Sequence, residues 1–476
     1  TQDNALAVGQ LELGIAGITR LQNPNNRITQ LSGEIAGGEI LVSDDSLRDK
    51  SLRVNLAVSG EASIKARQVD VGDVFLSDRA ALTFNDVGTF TLSGGFAGAG
   101  AGAGAGAAAN SVTINGRETN GNYTISENAL LDGVKLIFNG AGGSDTLRVN
   151  KEFVTVELAD GTIPEEPLGL VALNIENIQA KSGSGNTLIG AGSSLQGYEW
   201  NINGDGKNIV KNLDTNREVS FENFSALGGG SKDDEFKINP GANVQSIQGG
   251  GGIDTLSYAA WNGDFEFVIG DHPQGVGAFG EIEVVKGNGD KGVKATLKAP
   301  DGDGKNVWEI NNGKVSVTFE PSDDEVLVLD GEALVPYRGM VFSGFNSIKG
   351  GNGVDEFRVK LANHVSDAAY RYTLDGGNEK KINGESHQLD QLMVLDGGDD
   401  WEGFYRINES TGKTNFSFKL SSKEMISFDY ENMDHVLVDA SLDQMNLAGK
   451  SGQEDKFKLG PGWWDMNGSQ VFYGGR

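Results

Sequence analysis

Aspartate carries whatever chemistry this chain advertises, and it does so at fixed distances from glycine. Gly228 to Tyr258 reads GGGSKDDEFKINPGANVQSIQGGGGIDTLSY and states one phrase twice: a glycine run, an aspartate, one spacer, a large apolar residue. The two instances are Asp234-Glu-Phe236 and Asp254-Thr-Leu256, whose aspartates stand 20 residues apart, about one turn of a repeating β-structure. The beat returns at Asp145-Thr-Leu147, Asp355-Glu-Phe357, Asp390-Gln-Leu392 and Asp455-Lys-Phe457, and with asparagine at Asn186-Thr-Leu188. A carboxylate in that place can close its own turn by accepting backbone amides while glycines take the φ > 0 positions. It can also offer oxygen to a divalent cation.

Other chemistry is poorly served. The four histidines, His272, His364, His387 and His435, are scattered without metal-ligand or triad spacing. Paired carboxylates for glycoside cleavage cannot be singled out among 67 acids. Asp271-His272-Pro273 comes nearest to a sugar-epimerase site, but its order differs from the Asp-Pro-His-Glu of alginate epimerases, and it reads as a turn before a proline. The chain therefore reads as a non-enzyme with no catalytic residue assigned. Trp463-Trp464 with Phe472 and Tyr473 offer a sugar-stacking platform, a core plug or a subunit contact, and read as packing or an interface.

The elements that must position these residues are strands and turns. Glycine supplies 70 of 476 residues, about twice the usual share of roughly 7%, which demands many turns. No period of 3.6 is sustained, whereas alternating segments of 4 to 8 residues bounded by Gly, Asn, Asp and Ser recur throughout. Leu52-Arg-Val-Asn-Leu-Ala-Val58 alternates cleanly, and after an aspartate beat Phe236 and Ile238, or Leu256 and Tyr258, should share the inner face. The expected fold is all-β: a repeat protein of β-solenoid (β-helix) rungs, or of stacked β-sandwich-like modules with hairpin connections.

Residues 1–93 read as an N-terminal solenoid-like region, and 94–109 as a Gly-Ala linker or silk-like strand. Residues 110–174 form a β module, followed by β-repeat modules over 175–341 and 342–476. The repeats share a header of paired apolar residues, seen at Ile175-Glu-Asn-Ile178, Phe221-Glu-Asn-Phe224, Phe279-Gly-Glu-Ile282, Phe342-Ser-Gly-Phe345 and Tyr430-Glu-Asn-Met433. Gly204-Asp-Gly-Lys-Asn208 returns as Gly302-Asp-Gly-Lys-Asn306. The closing Val471-Phe-Tyr-Gly-Gly-Arg476 resembles Ser246-Ile-Gln-Gly-Gly and stops inside a glycine turn, as a fragment of something longer would.

With 39 basic and 67 acidic residues the formal charge is −28, which repels nucleic acid and anionic lipid. No apolar run approaches the roughly 20 residues of a membrane span, so membrane insertion is not expected. The absence of cysteine rules out disulfides and thiolate metal sites and fits an exported bacterial repeat protein.

Gly249-Gly-Gly-Gly-Ile-Asp254-Thr-Leu256 and Gly350-Gly-Asn-Gly-Val-Asp355-Glu-Phe357 resemble the glycine-rich nonapeptide of repeats-in-toxin proteins. Gly140 to Leu147 departs from it at Ala141, and Gly229 to Phe236 at Lys232. With the headers, residues 172–476 look like the repeats of giant secreted bacterial adhesins and filamentous-haemagglutinin-like proteins. The resemblance implies calcium at Asp254 and Asp355, joined by Asp145 and Asp234. No two nonapeptides are adjacent here, so each ion would depend on one carboxylate and backbone carbonyls. The expected function is an extracellular structural one: a segment of a self-associating surface fibre or biofilm-matrix adhesin, with itself as partner and polysaccharide as a second. The alternatives are a calcium-binding, glycan-recognising adhesin module, and a polysaccharide lyase or epimerase on a β-helix.

Overall fold

The structure, a computed structural model, describes residues 4–14, 18–42, 51–77, 79–98, 110–159, 169–289, 292–300, 305–311, 313–320, 328–329, 332–333, 340–361, 370–377, 381–382, 385–386, 390–395, 401–407, 414–420, 423–432, 435–439, 444–448 and 471–473. These residues are all-β: 46 strands and no α-helix. They form two compact units, Thr1–Phe236 with Gly241–Asp254, and Lys237–Pro240 with Thr255–Arg476.

In the first unit the chain supplies strands alternately to two parallel ladders. One runs Ala7–Gly14, Arg27–Ile35, Leu52–Val58, Gln68–Leu76, Thr89–Gly98, Asn122–Ile125, Thr146–Val149, Asn177–Ala180 and Glu218–Glu222, each paired in parallel with the next. The other begins with Ile18–Leu21, Gly37–Leu41, Glu61–Lys65, Ala81–Val87, Asn110–Gly116 and Val134–Asn139, again parallel. The hairpin connections weighed for residues 1–93 therefore do not occur within these ladders.

Register places like over like. Leu31, Val54, Val71, Leu92, Ile125 and Val149 form one buried column, each opposite the next. Alternation puts every second residue inward, as in the buried–exposed pattern of Leu52–Val58. The buried faces of the two ladders meet: the Phe84 and Phe90 rings lie 5.6 Å apart, and Phe90 and Phe138 5.8 Å. Each fully buried Val, Leu, Ile or Phe contributes about 1.5–3 kcal/mol, so the columns dominate stability.

The second unit has the same plan. Thr255–Ser257, Val284–Lys286 and Val341–Ser343 pair in parallel in one sheet. Phe265–Val268, Ala295–Lys298, Ser347–Lys349 and Tyr370–Asp375 do so in another.

The parallel stack is interrupted three times by an antiparallel meander of one topology. In the first unit it is Tyr198–Ile202, Asn208–Asn212 and Glu218–Glu222. In the second unit it is Lys305–Asn311, Lys314–Glu320 and Val341–Ser343, and again Trp401–Ile407, Thr414–Leu420 and Lys423–Glu431. Each time the third strand docks in parallel on the preceding ladder. In the second unit's two meanders the first strand pairs in parallel with the strand that continues the stack. The opposite ladder does not wait. Thr187–Ile189 pairs directly with Ala226–Gly228 across the first meander, Ala295–Lys298 with Ser347–Lys349 across the second, and Gln391–Leu395 with His435–Asp439 across the third. One sheet thus gains two strands over its partner, about 10 Å at the usual spacing of ~4.8 Å.

Candidate functional site

The aspartate beats stand where the chain, crossing from one ladder to the other, enters the next strand, and their side chains are buried. Asp145, Asp234, Asp254, Asp355 and Asp390 are all buried, 0–2% exposed, as are Leu147, Phe236, Leu256, Phe357 and Leu392 two residues on. The carboxylate bridges two successive turns. Asp234 Oδ1 accepts the Tyr198 amide at 2.6 Å, and its Oδ2 the Gly230 amide of its own turn at 2.7 Å. Asp254 Oδ1 in turn accepts the Asp234 amide at 2.7 Å. In the second unit Asp390 Oδ1 accepts the Asp355 amide at 2.8 Å, and Asp355 Oδ2 the Gly351 amide at 3.0 Å. Asp355 Oδ1 also takes Nε1 of Trp308 at 2.8 Å and Nδ2 of Asn306 at 2.9 Å.

The motif's leading glycine follows from this. Gly229 and Gly350 each precede their aspartate by five residues, and a Cβ there would collide with that carboxylate and with a carbonyl of the neighbouring turn, Gly249 or Gly376. Only glycine admits the approach.

Asparagine does the same work in the opposite turns, which sequence reasoning registered only at Asn186. Asn186 Oδ1 accepts the Val154 amide at 2.7 Å and its Nδ2 donates to Lys151 O at 2.9 Å. Asn110 accepts the Ala80 amide and Asn346 the Ala295 amide, at 3.0 and 2.9 Å. The signal available for both is Asn-x-apolar at a strand start. These side chains satisfy backbone groups that would otherwise be buried and unpaired.

Asp145 Oδ1 accepts the Gly121 amide at 2.5 Å, while its Oδ2, like that of Asp254 and like the Tyr123 hydroxyl, is buried without a hydrogen bond. Glu176 takes the Asp145 amide at 2.8 Å and is held by Arg217 at 2.9 Å. Burial pushes Asp145, Asp234 and Asp355 up to about 6. It also raises Tyr123, with Asp145 and Glu176 adding to the shift.

Of the predicted metal residues, Asp145, Asp234, Asp254 and Asp355, only Asp234 and Asp254 are brought together; Asp355 lies beside Asp390 and Asp145 beside Glu176, neither of which was predicted. Among the described residues no group of three or more His, Asp or Glu side chains converges. Calcium takes six to eight oxygens. The amides on both oxygens of Asp234 and of Asp355 stand where a cation would have to be, so these two carboxylates as arranged do not fit such a site. The expected result is a melting temperature unchanged, within about 2 °C, between millimolar calcium and excess chelator. A site filled at 100 times its Kd adds about 2.7 kcal/mol, so a rise of several degrees would show that the turns rearrange around the ion.

The remaining sequence candidates are placed as follows. His272 is exposed, its amide donating to Asp271 Oδ1 at 2.7 Å. His435 opens the strand His435–Asp439, and Phe472 and Tyr473 lie in Val471–Tyr473, paired in parallel with Gln444–Ala448. His364, His387, Trp463 and Trp464 fall outside the described residues. No family model, curated protein or solved structure matches the chain. The physical reading of the aspartate turns is thus structural: buried carboxylates that lock each turn to its neighbour.

Proposed function

We propose that the chain is a segment of an extracellular structural rod, built as a two-faced parallel β-solenoid and working in a self-associating bacterial surface fibre or biofilm-matrix adhesin. The observation that carries this reading is the pairing itself. Strands alternate between two ladders, buried apolar residues lie opposite apolar ones in the next turn along the parallel pairs, and buried Asp and Asn bond one turn to the next. Such a structure is quasi-one-dimensional, and its stability is the sum of rungs and their interfaces. Wherever a parallel ladder ends uncovered, its free amides and carbonyls accept a further strand, which gives end-to-end or strand-addition assembly. The charge of −28 keeps chains soluble and limits lateral sticking, and the absence of cysteine leaves assembly to backbone pairing.

Electron microscopy of the purified chain over a range of concentrations, with calcium and with chelator, tests the proposal. Regular filaments whose length grows with concentration are expected in both conditions. Discrete particles at every concentration would remove self-association from the reading and leave a single rod or binding module.

A further inference from the structure

The first meander leaves a void. Opposite its strands Asn208–Asn212 and Glu218–Glu222 the other sheet should run short, because Thr187–Ile189 pairs directly with Ala226–Gly228. An extra strand makes up part of the deficit. Leu170–Leu173 inserts between Val134–Asn139 and Thr155–Ala159, in parallel with both. One added strand does not balance two, and a cavity of about 330 Å³ remains between the sheets. Its walls are apolar: Leu158, Ala172, Val210, Val219 and the Tyr198 ring, all buried. The volume lies at the small end of ligand pockets, which span about 300–1,000 Å³.

Four polar residues also line the cavity, Asn174, Asn212, Thr215 and Arg217, and Asn212 Oδ1 is taken up by the Asp214 and Thr215 amides. Arg217 gives Nη1 to Asn174 Oδ1 at 3.1 Å and Nη2 to Glu176 Oε1 at 2.9 Å. A guanidinium has five N–H donors, so it can serve a further acceptor. Glu176 already balances its charge, and Asp145 stands beside Glu176. A second anion is therefore disfavoured, and the site suits a neutral acceptor.

We infer that this cavity binds a small neutral amphiphile, an aliphatic body of about eight carbons lying between the sheets with an amide or ester carbonyl on Arg217. The inference is independent of the fibre reading, since the cavity lies within one unit of one chain.

Isothermal titration of the full chain with octanamide tests it, with octanoate for comparison. Saturable one-to-one binding of octanamide is expected, with octanoate at least about tenfold weaker. Ala172→Phe and Val219→Phe fill the void and should abolish binding without lowering the melting temperature. Arg217→Gln should weaken octanamide about tenfold, a factor equal to 1.4 kcal/mol. No saturable binding to the parent chain overturns the inference, as does binding that survives in both folded cavity-filling variants. Tighter binding of octanoate than of octanamide overturns the assignment of the head group.

Discussion

Replacing Asp355 with alanine is expected to open the second unit locally by several kcal/mol, while Asp145→Asn in the first unit costs nothing measurable. The two carboxylates are buried alike but partnered differently. Asp355 receives three donors, from Trp308, Asn306 and Gly351. Asp355→Ala leaves all three without an acceptor in a dry interior, at about 1–3 kcal/mol each. The Trp308 ring, stacked on Phe357 at 5.9 Å and 3°, cannot swing out to water without breaking that stack. Asp355→Asn keeps the oxygen facing Trp308 and Asn306 but sets an NH2 against the Gly351 amide, so about one donor is lost and the cost is about 1–3 kcal/mol.

At Asp145 the Oδ2 has no hydrogen-bond partner, and burial together with the Glu176 charge disfavours the anion, so a neutral amide is better placed there. Asp145→Asn keeps the Gly121 hydrogen bond and removes a buried charge, so its stability is expected to equal or exceed the parent's. Hydrogen exchange over residues 305–360 and 121–150 reads each unit separately, as a two-unit chain requires. Equal, small losses of protection in Asp355→Ala and Asp145→Asn would show that the carboxylates are not what locks the turns.

The contrast between these two sites marks how far the sequence was legible. The glycine–aspartate–apolar beat was readable because all its parts are local: turn, carboxylate and inward residue lie within eight positions, and Phe236, Ile238, Leu256 and Tyr258 are buried as alternation requires. The donors that give Asp355 its importance come from Asn306 and Trp308, 49 and 47 residues away, and no local spacing announces them. Pairing distances also vary too widely for a fixed period, from 14 residues between Val156 and Leu170 to 57 between Val284 and Val341.

The meanders account for much of that variation, and alternation alone cannot tell their antiparallel strands from parallel ones. Headers at Phe221, Phe342 and Tyr430 lie in the third strand of a meander, whereas those at Ile175 and Phe279 do not, so header spacing mixed two kinds of unit. A better signal was present. In sequence, the passage from the first to the second strand of each meander carries Ile-Asn followed by Gly-Lys: Ile202-Asn203 to Gly206-Lys207, Ile310-Asn311 to Gly313-Lys314, and Ile407-Asn408 to Gly412-Lys413. The unequal spacing between the two halves of the signal hid it.

Acid should stabilise this chain over a range where proteins are commonly indifferent to it. Asp145, Asp234 and Asp355 titrate near 6 when folded and near 3.9 when unfolded. Between those values the folded chain binds more protons, so its stability is greatest toward the acid end and declines as pH rises through 6. One group shifted by two units contributes about 3 kcal/mol, and three such groups make this a leading effect. Glu356 moves the other way: burial alone would raise it, and the ion pairs with Lys305 and Arg358 outweigh that. Its contribution fails only as pH falls below the ordinary carboxylate range, which sets a maximum at about pH 4.

Relief of long-range repulsion on a chain of charge −28 has the same sign. Salt separates the two, because about 0.5 M screens surface charges beyond a few Å and barely touches buried ones. In such salt the melting temperature is expected to fall from about pH 5 to about pH 7 and then level off, and Asp145→Asn should flatten the slope. A melting temperature that stays level or rises over that range would mean that the buried aspartates keep ordinary affinities. The amide hydrogen bonds would then outweigh their burial.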